Sequence, residues 1–110
     1  MLKLCAYYLG DVDEADRARF DAHVENTHLP LVARYPGLKS LEYHKSTPWN
    51  DKAPEYYLAF ELGFADQAAF DLAMGSDIRR IARDDLGNFL PMFKGTVHHV
   101  LHEVNEIPLP

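Results

Sequence analysis

The chain has 110 residues, 47% of them hydrophobic and 25% charged, which fits one domain spanning 1–110 with a modest core and excludes wholesale disorder. Eleven Lys and Arg against seventeen Asp and Glu give a net charge of −6, without the basic footprint of non-specific nucleic-acid or anionic-membrane binding. The single cysteine, Cys5, excludes an intramolecular disulfide and a Cys-based zinc site, and no apolar run suggests a signal peptide or membrane helix; the expected setting is the reduced cytoplasm.

Residues 2–9 predict a first strand, ended by the turn signal Gly10-Asp11. Leu2, Leu4, Ala6 and Tyr8 share one face and are expected to meet a helix layer; Lys3, Cys5, Tyr7 and Leu9 share the other. Asp13 predicts a helix N-cap, with Glu14 and Asp16 in the first turn. Phe20, Val24, Thr27, His28 and Leu31 then recur at steps of three and four. Pro30 lacks an N–H and disfavours helical geometry at Leu29, so a kink or break is expected at 27–30. A short second piece should run to Arg34 and stop at Tyr35-Pro36-Gly37.

Residues 38–47 predict a second strand, 47–55 a loop and 55–64 a third strand. In the third, Tyr56, Leu58, Phe60, Leu62 and Phe64 oppose Tyr57, Ala59, Glu61 and Gly63. Asp66 predicts the cap of a helix to Met74, with Ala69, Phe70 and Ala73 inward and Gly75 just past its end. Ser76 predicts the cap of another to Asp85, with Ile78, Ile81 and Ala82 inward. Residues 87–94 read as a packed apolar connection and 96–104 as a fourth strand, while the tail 105–110 should lie over a surface.

The order β-α-β-β-α-β predicts an α+β, ferredoxin-like antiparallel sheet with helices on one face. The other face, expected to include Tyr7, Leu9, Tyr57 and Val97, needs a cover, and a second copy of the chain is the simplest one.

His28, beside the Pro30 break on an apolar stripe, is the leading candidate for acid/base chemistry, since imidazole titrates near neutrality. The alternatives are a haem ligand, or a buried histidine bonded to a local carbonyl that stabilises the kink. His23 lies about 140° away around an α-helix and is expected on a different face. His98 and His102 would stand about 13 Å apart on a strand, too far to share an ion, so the 98–102 run reads as a polar or dimer-facing strand. Cys5, with no activating neighbour, reads as a small buried hydrophobe.

Phe20, His28, Pro30 and Leu31, with Pro36-Gly37-Leu38, resemble the signature of the EthD-like family. Ser76-Asp77-Ile78-Arg79 followed by Phe89 is similar to the methylmuconolactone isomerase branch of the same superfamily. The resemblance implies a dimeric α/β barrel of two ferredoxin-like sheets, with a pocket between sheet and helices. It also implies a cofactor-independent enzyme, of isomerase, cyclase, lyase or oxidoreductase type, acting on an apolar aromatic or lactone-like metabolite without a metal. His28 would move a proton, and Tyr8 or Tyr7 would orient an oxygen. Leu4, Leu31, Leu58, Phe60, Leu72, Ile78 and Phe89 would form the walls. Alternative readings are a non-catalytic accessory or ligand-binding protein of a degradation pathway, and a haem-binding protein.

Overall fold

A computed structural model describes residues 1–110. It has four strands, β1 (Leu2–Val12), β2 (Leu38–Lys45), β3 (Tyr56–Phe64) and β4 (Phe93–Glu103), in one antiparallel sheet of order β2-β3-β1-β4. The helices α1 (Glu14–His23), α2 (Leu29–Val32), α3 (Gln67–Met74) and α4 (Asp77–Asp85) complete the expected ferredoxin-like α+β order. No helix is long and apolar enough to cross a membrane.

Strand alternation builds the core. Ala6 and Tyr8 from β1 and Leu58, Phe60, Leu62 and Phe64 from β3 are all buried, packed with Phe20 and Val24 from the first helical segment. Tyr8 packs edge-on against Phe20 and Phe93 at centroid separations of 6.3 and 5.3 Å, a geometry that adds to burial because ring edges and faces carry opposite partial charge. Asp66 and Ser76 cap α3 and α4 as expected, accepting from the Ala69 and Arg79 amides.

Local chemistry overrides the sequence pattern at several points. Gly10-Asp11 does not end β1. Gly10 (φ +142°) pairs with Gly95 (φ +153°) inside the β1–β4 ladder, where a Cβ on Gly95 would lie 2.0 Å from the Leu9 carbonyl oxygen. The two glycines let the backbones approach and extend both strands. Asp13 sits at the N-cap without a side-chain capping bond, because its carboxylate pairs with Lys94 at 2.9 Å. Gly75 ends α3 at φ −91°, not in a left-handed conformation.

In β3 a bulge falls opposite Tyr8 and Leu9. It turns Tyr57 onto the helix side, where it packs on Phe20 and its hydroxyl donates to Asp21 at 2.7 Å, and leaves Tyr56 against Tyr7 on the open face. Val97 also lies on the helix side, opposite Tyr8. The open face therefore presents Tyr7, Leu9, Tyr56 and Val100 among polar groups, not the patch expected with Tyr57 and Val97. On that face Cys5 is buried but not merely a hydrophobe: its Sγ lies 3.4 Å from Glu61 Oε1. Burial pushes the thiol pKa up, which keeps it unreactive. In the tail, Ile107 and Leu109 are 78% and 88% exposed, so it covers no surface of its own chain.

The Pro30 region interrupts the α-helical pattern, as expected, without ending the helical segment. Residues Val24–His28 form one π-helical turn, in which the Leu29 amide donates to the Val24 carbonyl five residues back, and α2 follows directly. The wider turn accommodates a proline that can neither donate nor tolerate a close carbonyl at i−4.

Candidate functional site: a buried His–Asp–His cluster on a cavity

The π turn changes which side chains meet. Bonds of the i→i+5 kind stack residues five apart, so His23 and His28 come to one side of the helix instead of standing about 140° apart. Both reach Asp85, the last residue of α4. His23 Nε2 lies 2.9 and 3.0 Å from the two Asp85 oxygens and His28 Nδ1 3.1 Å from Oδ2, while Asn88 Nδ2 donates to Oδ1 at 2.9 Å. Phe89 backs both imidazoles, with ring centroids 5.2 Å from His23 and 4.8 Å from His28.

The charge states follow from these contacts. Burial alone would raise the Asp85 pKa, but hydrogen bonds from Asn88, His23 and His28 outweigh it and hold the carboxyl below the usual range. Asp85 is therefore an anion. Burial of His28 outweighs the opposing pull of Asp85 and lowers its pKa below the ordinary 6.5. At neutral pH His28 is thus a neutral imidazole, whose Nδ1–H donates to Asp85 and whose Nε2 carries the lone pair.

His28 lines a cavity of about 160 Å³ between the sheet and the helices, with Leu4, Ala6 and Tyr8 of β1 and Phe60 and Leu62 of β3 beneath it. Tyr43 Oη is the only sealed side-chain polar atom without a hydrogen-bond partner. The Tyr8 hydroxyl and His28 Nε2 also bond to no protein group, so both open onto the cavity. Burial pushes the Tyr8 phenol well above its ordinary pKa, which makes it a hydrogen-bond donor across the physiological range.

The sequence-predicted site divides accordingly. His28, Tyr8, Leu4 and Phe60 come together at the cavity. Tyr7 does not, because alternation along β1 places it on the open face beside His102. Hydrogen bonding with Cys5, then burial, raises its phenol to about 12. Leu72 is no wall residue: it is 65% exposed, since α3 packs through Ala73 and Ala69. Phe89 stands behind the imidazoles. Leu58 lines a separate depression near Asp21 and Tyr43, and Leu31 and Ile78 are half-buried outside the cavity. Ile81, also expected inward, is 41% exposed.

Sequence reasoning missed Asp85, Tyr35, Arg79, Arg83 and His99, the last four of which line the cavity. Two signals were present. Asp85 falls on the inward stripe of Ile78 and Ala82, at steps of four and three. His99 alternates in phase with Val97 once 93–103 is a strand.

No family model matches the chain. A curated relative, an uncharacterized 11.0 kDa protein from the thcB-thcC intergenic region of Rhodococcus erythropolis, is 32% identical over 75 residues, covering 68% of this chain and 73% of that protein. Among solved structures, the chain is similar to an ethyl tert-butyl ether D (EthD) family protein from Bacillus halodurans. The TM-score is 0.81 and the identity 26%, with 96% of this chain and 99% of that one covered. It shares its fold with a monooxygenase of Streptomyces coelicolor solved with nanaomycin D, at TM-score 0.67 and 18% identity over 99% and 91% of the chains.

Proposed function

The chain belongs to the EthD-like family, and from that premise we propose that it is a small cytoplasmic, cofactor-independent enzyme acting on an apolar aromatic or lactone-like metabolite. One observation carries the reading. A neutral imidazole, fixed through Nδ1 by a buried carboxylate, turns a free Nε2 into an apolar cavity that also receives an unpartnered tyrosine hydroxyl.

The chemistry follows from that geometry. Asp85 fixes the tautomer and offsets the charge that His28 acquires when it takes a proton. The Tyr8 hydroxyl donates to a substrate oxygen as negative charge develops there. His28 returns the proton at a second substrate atom, so the net change is an isomerisation or cyclisation with no electron acceptor. Monooxygenation, suggested by the Streptomyces coelicolor relative in fold, would use the same proton abstraction and consume dioxygen as well.

The size of the cavity, about 160 Å³, is close to that of an engineered cavity that holds benzene. It suits a single-ring substrate and is too small for haem. The test is product formation by the purified chain alone from a panel of single-ring aromatic acids, phenols and lactones. Turnover of at least one compound is the expected result. Ligands that bind and are released unchanged throughout would replace this reading with that of an accessory binding protein.

The enzyme is proposed to act as a homodimer paired through the open face of the sheet. The single chain exposes 7172 Å², against about 6,200 Å² for a compact monomer of its mass. Tyr56 and Val100 on that face are 44% and 39% exposed. Light scattering during size exclusion should give twice the 12.6 kDa of one chain. A single-chain mass at every concentration tested would sink the dimer.

A further inference from the structure

The cavity wall carries an asymmetry of charge. Arg79 and Arg83 line it from α4 and Asp and Glu line it nowhere. Neither arginine forms an ion pair, whereas Arg80, on another side of the same helix, pairs with Asp84 at 3.5 Å. Like charges four residues apart on a helix repel, so an uncompensated pair costs stability unless something anionic comes between them. Arg79 is held in place by a bond from Nη1 to the Met74 carbonyl at 3.3 Å. Tyr35 and His99 line the cavity with them: both guanidiniums oppose the burial-driven rise of the Tyr35 pKa, and Arg79 adds to the lowering of that of His99. Burial and then Arg79 lower the His99 pKa, which leaves the arginines as the cations there.

We propose that the α4 wall of the cavity is a carboxylate-binding site. The substrate is then an aromatic or lactone-like acid whose carboxylate sits between Arg79 and Arg83 while its ring lies against Phe60, within reach of His28. The inference rests on the function proposed above and narrows its substrate class. Guanidinium groups suit the task because their N–H donors match the two oxygens of a carboxylate and their charge does not titrate away.

The test is calorimetric titration with benzoate and benzamide, which share ring and shape and differ in charge. Benzoate is expected to bind at least about tenfold more tightly to the native chain, the scale of a charge-assisted bond. In the R79Q/R83Q variant that preference should vanish while benzamide affinity stays unchanged, which also shows the cavity to be intact. Should the double variant fail to fold, R79Q and R83Q singly should each reduce the preference. Equal binding of the two probes to the native chain, or a preference that survives both substitutions, overturns the carboxylate site and leaves the proposed function standing. Binding of neither probe likewise overturns the carboxylate site, while the proposed function stands or falls on the turnover panel.

Discussion

Replacing His28 with alanine is expected to reduce turnover about 10²–10⁴-fold, the contribution of one positioned proton-transfer group. His28 is 4% exposed and packed on Phe60 and Phe89, so alanine also opens a void. His28→Gln separates the two effects. Its amide can still donate to Asp85, but it cannot take a proton near neutral pH. Both variants should lose turnover to a similar extent, and only His28→Ala should lose appreciable stability. The pH profile gives a second readout. Burial lowers the His28 pKa below 6.5, so the native kcat/KM should rise through that lowered value and then level off, as for a group acting as base. That limb should be missing from the residual activity of the glutamine variant. Turnover within threefold of native in His28→Gln would remove His28 from the chemistry and leave it a structural partner of Asp85.

The fold was legible because its signals are local and repeat. Alternation marked β1 and β3, β-branched residues and the need for an edge partner marked β4, and Asp66 and Ser76 marked the starts of α3 and α4. The errors sit where one residue changes the register of all that follow. The π turn adds a residue to a helical turn, and this unites His23 with His28, which an α-helical wheel keeps apart. The bulge in β3 adds one to a strand and exchanges the faces of Tyr56 and Tyr57. Neither insertion leaves a compositional mark beyond Pro30. Asp85 was lost differently. Its sequence neighbours Arg83 and Asp84 make it look like part of a solvated charged face, and only its phase with Ile78 and Ala82 shows that it points inward. The site was therefore half visible: His28 could be found from sequence, but not the carboxylate that fixes its imidazole.

Removing that carboxylate should cost more stability than any exposed substitution. Asp85 is 6% exposed and accepts from His23, His28 and Asn88. Asp85→Ala leaves those donors without an acceptor, and each buried donor left unsatisfied costs about 1–3 kcal/mol. The loss would appear as a fall in urea midpoint at neutral pH. Asp85→Asn keeps an acceptor oxygen and the side-chain shape, so it should fall less and remain measurable if the alanine variant does not fold.

The pH dependence has two stages of definite sign. His28 has a folded pKa depressed below its unfolded 6.5, so the unfolded chain binds the extra proton first. Stability is unaffected above pH 6.5, falls as the pH drops below it, and stops falling once the folded histidine also protonates. Asp85 has a folded pKa depressed below 3.8, so its contribution is complete above 3.8 and is lost as the pH falls from there through the folded value. Urea midpoints from pH 8 to pH 3 should therefore decline in an upper and a lower stage. His28→Gln should shrink the upper stage alone and leave the part that His99 contributes, because burial lowers the His99 pKa as well. Asp85→Asn should weaken the lower stage and deepen the upper one, because the carboxylate that partly supports a protonated His28 is gone. An upper stage unchanged in His28→Gln would mean that the histidine is not held neutral by burial, and the lone pair on which the proposed chemistry depends would lose its physical basis.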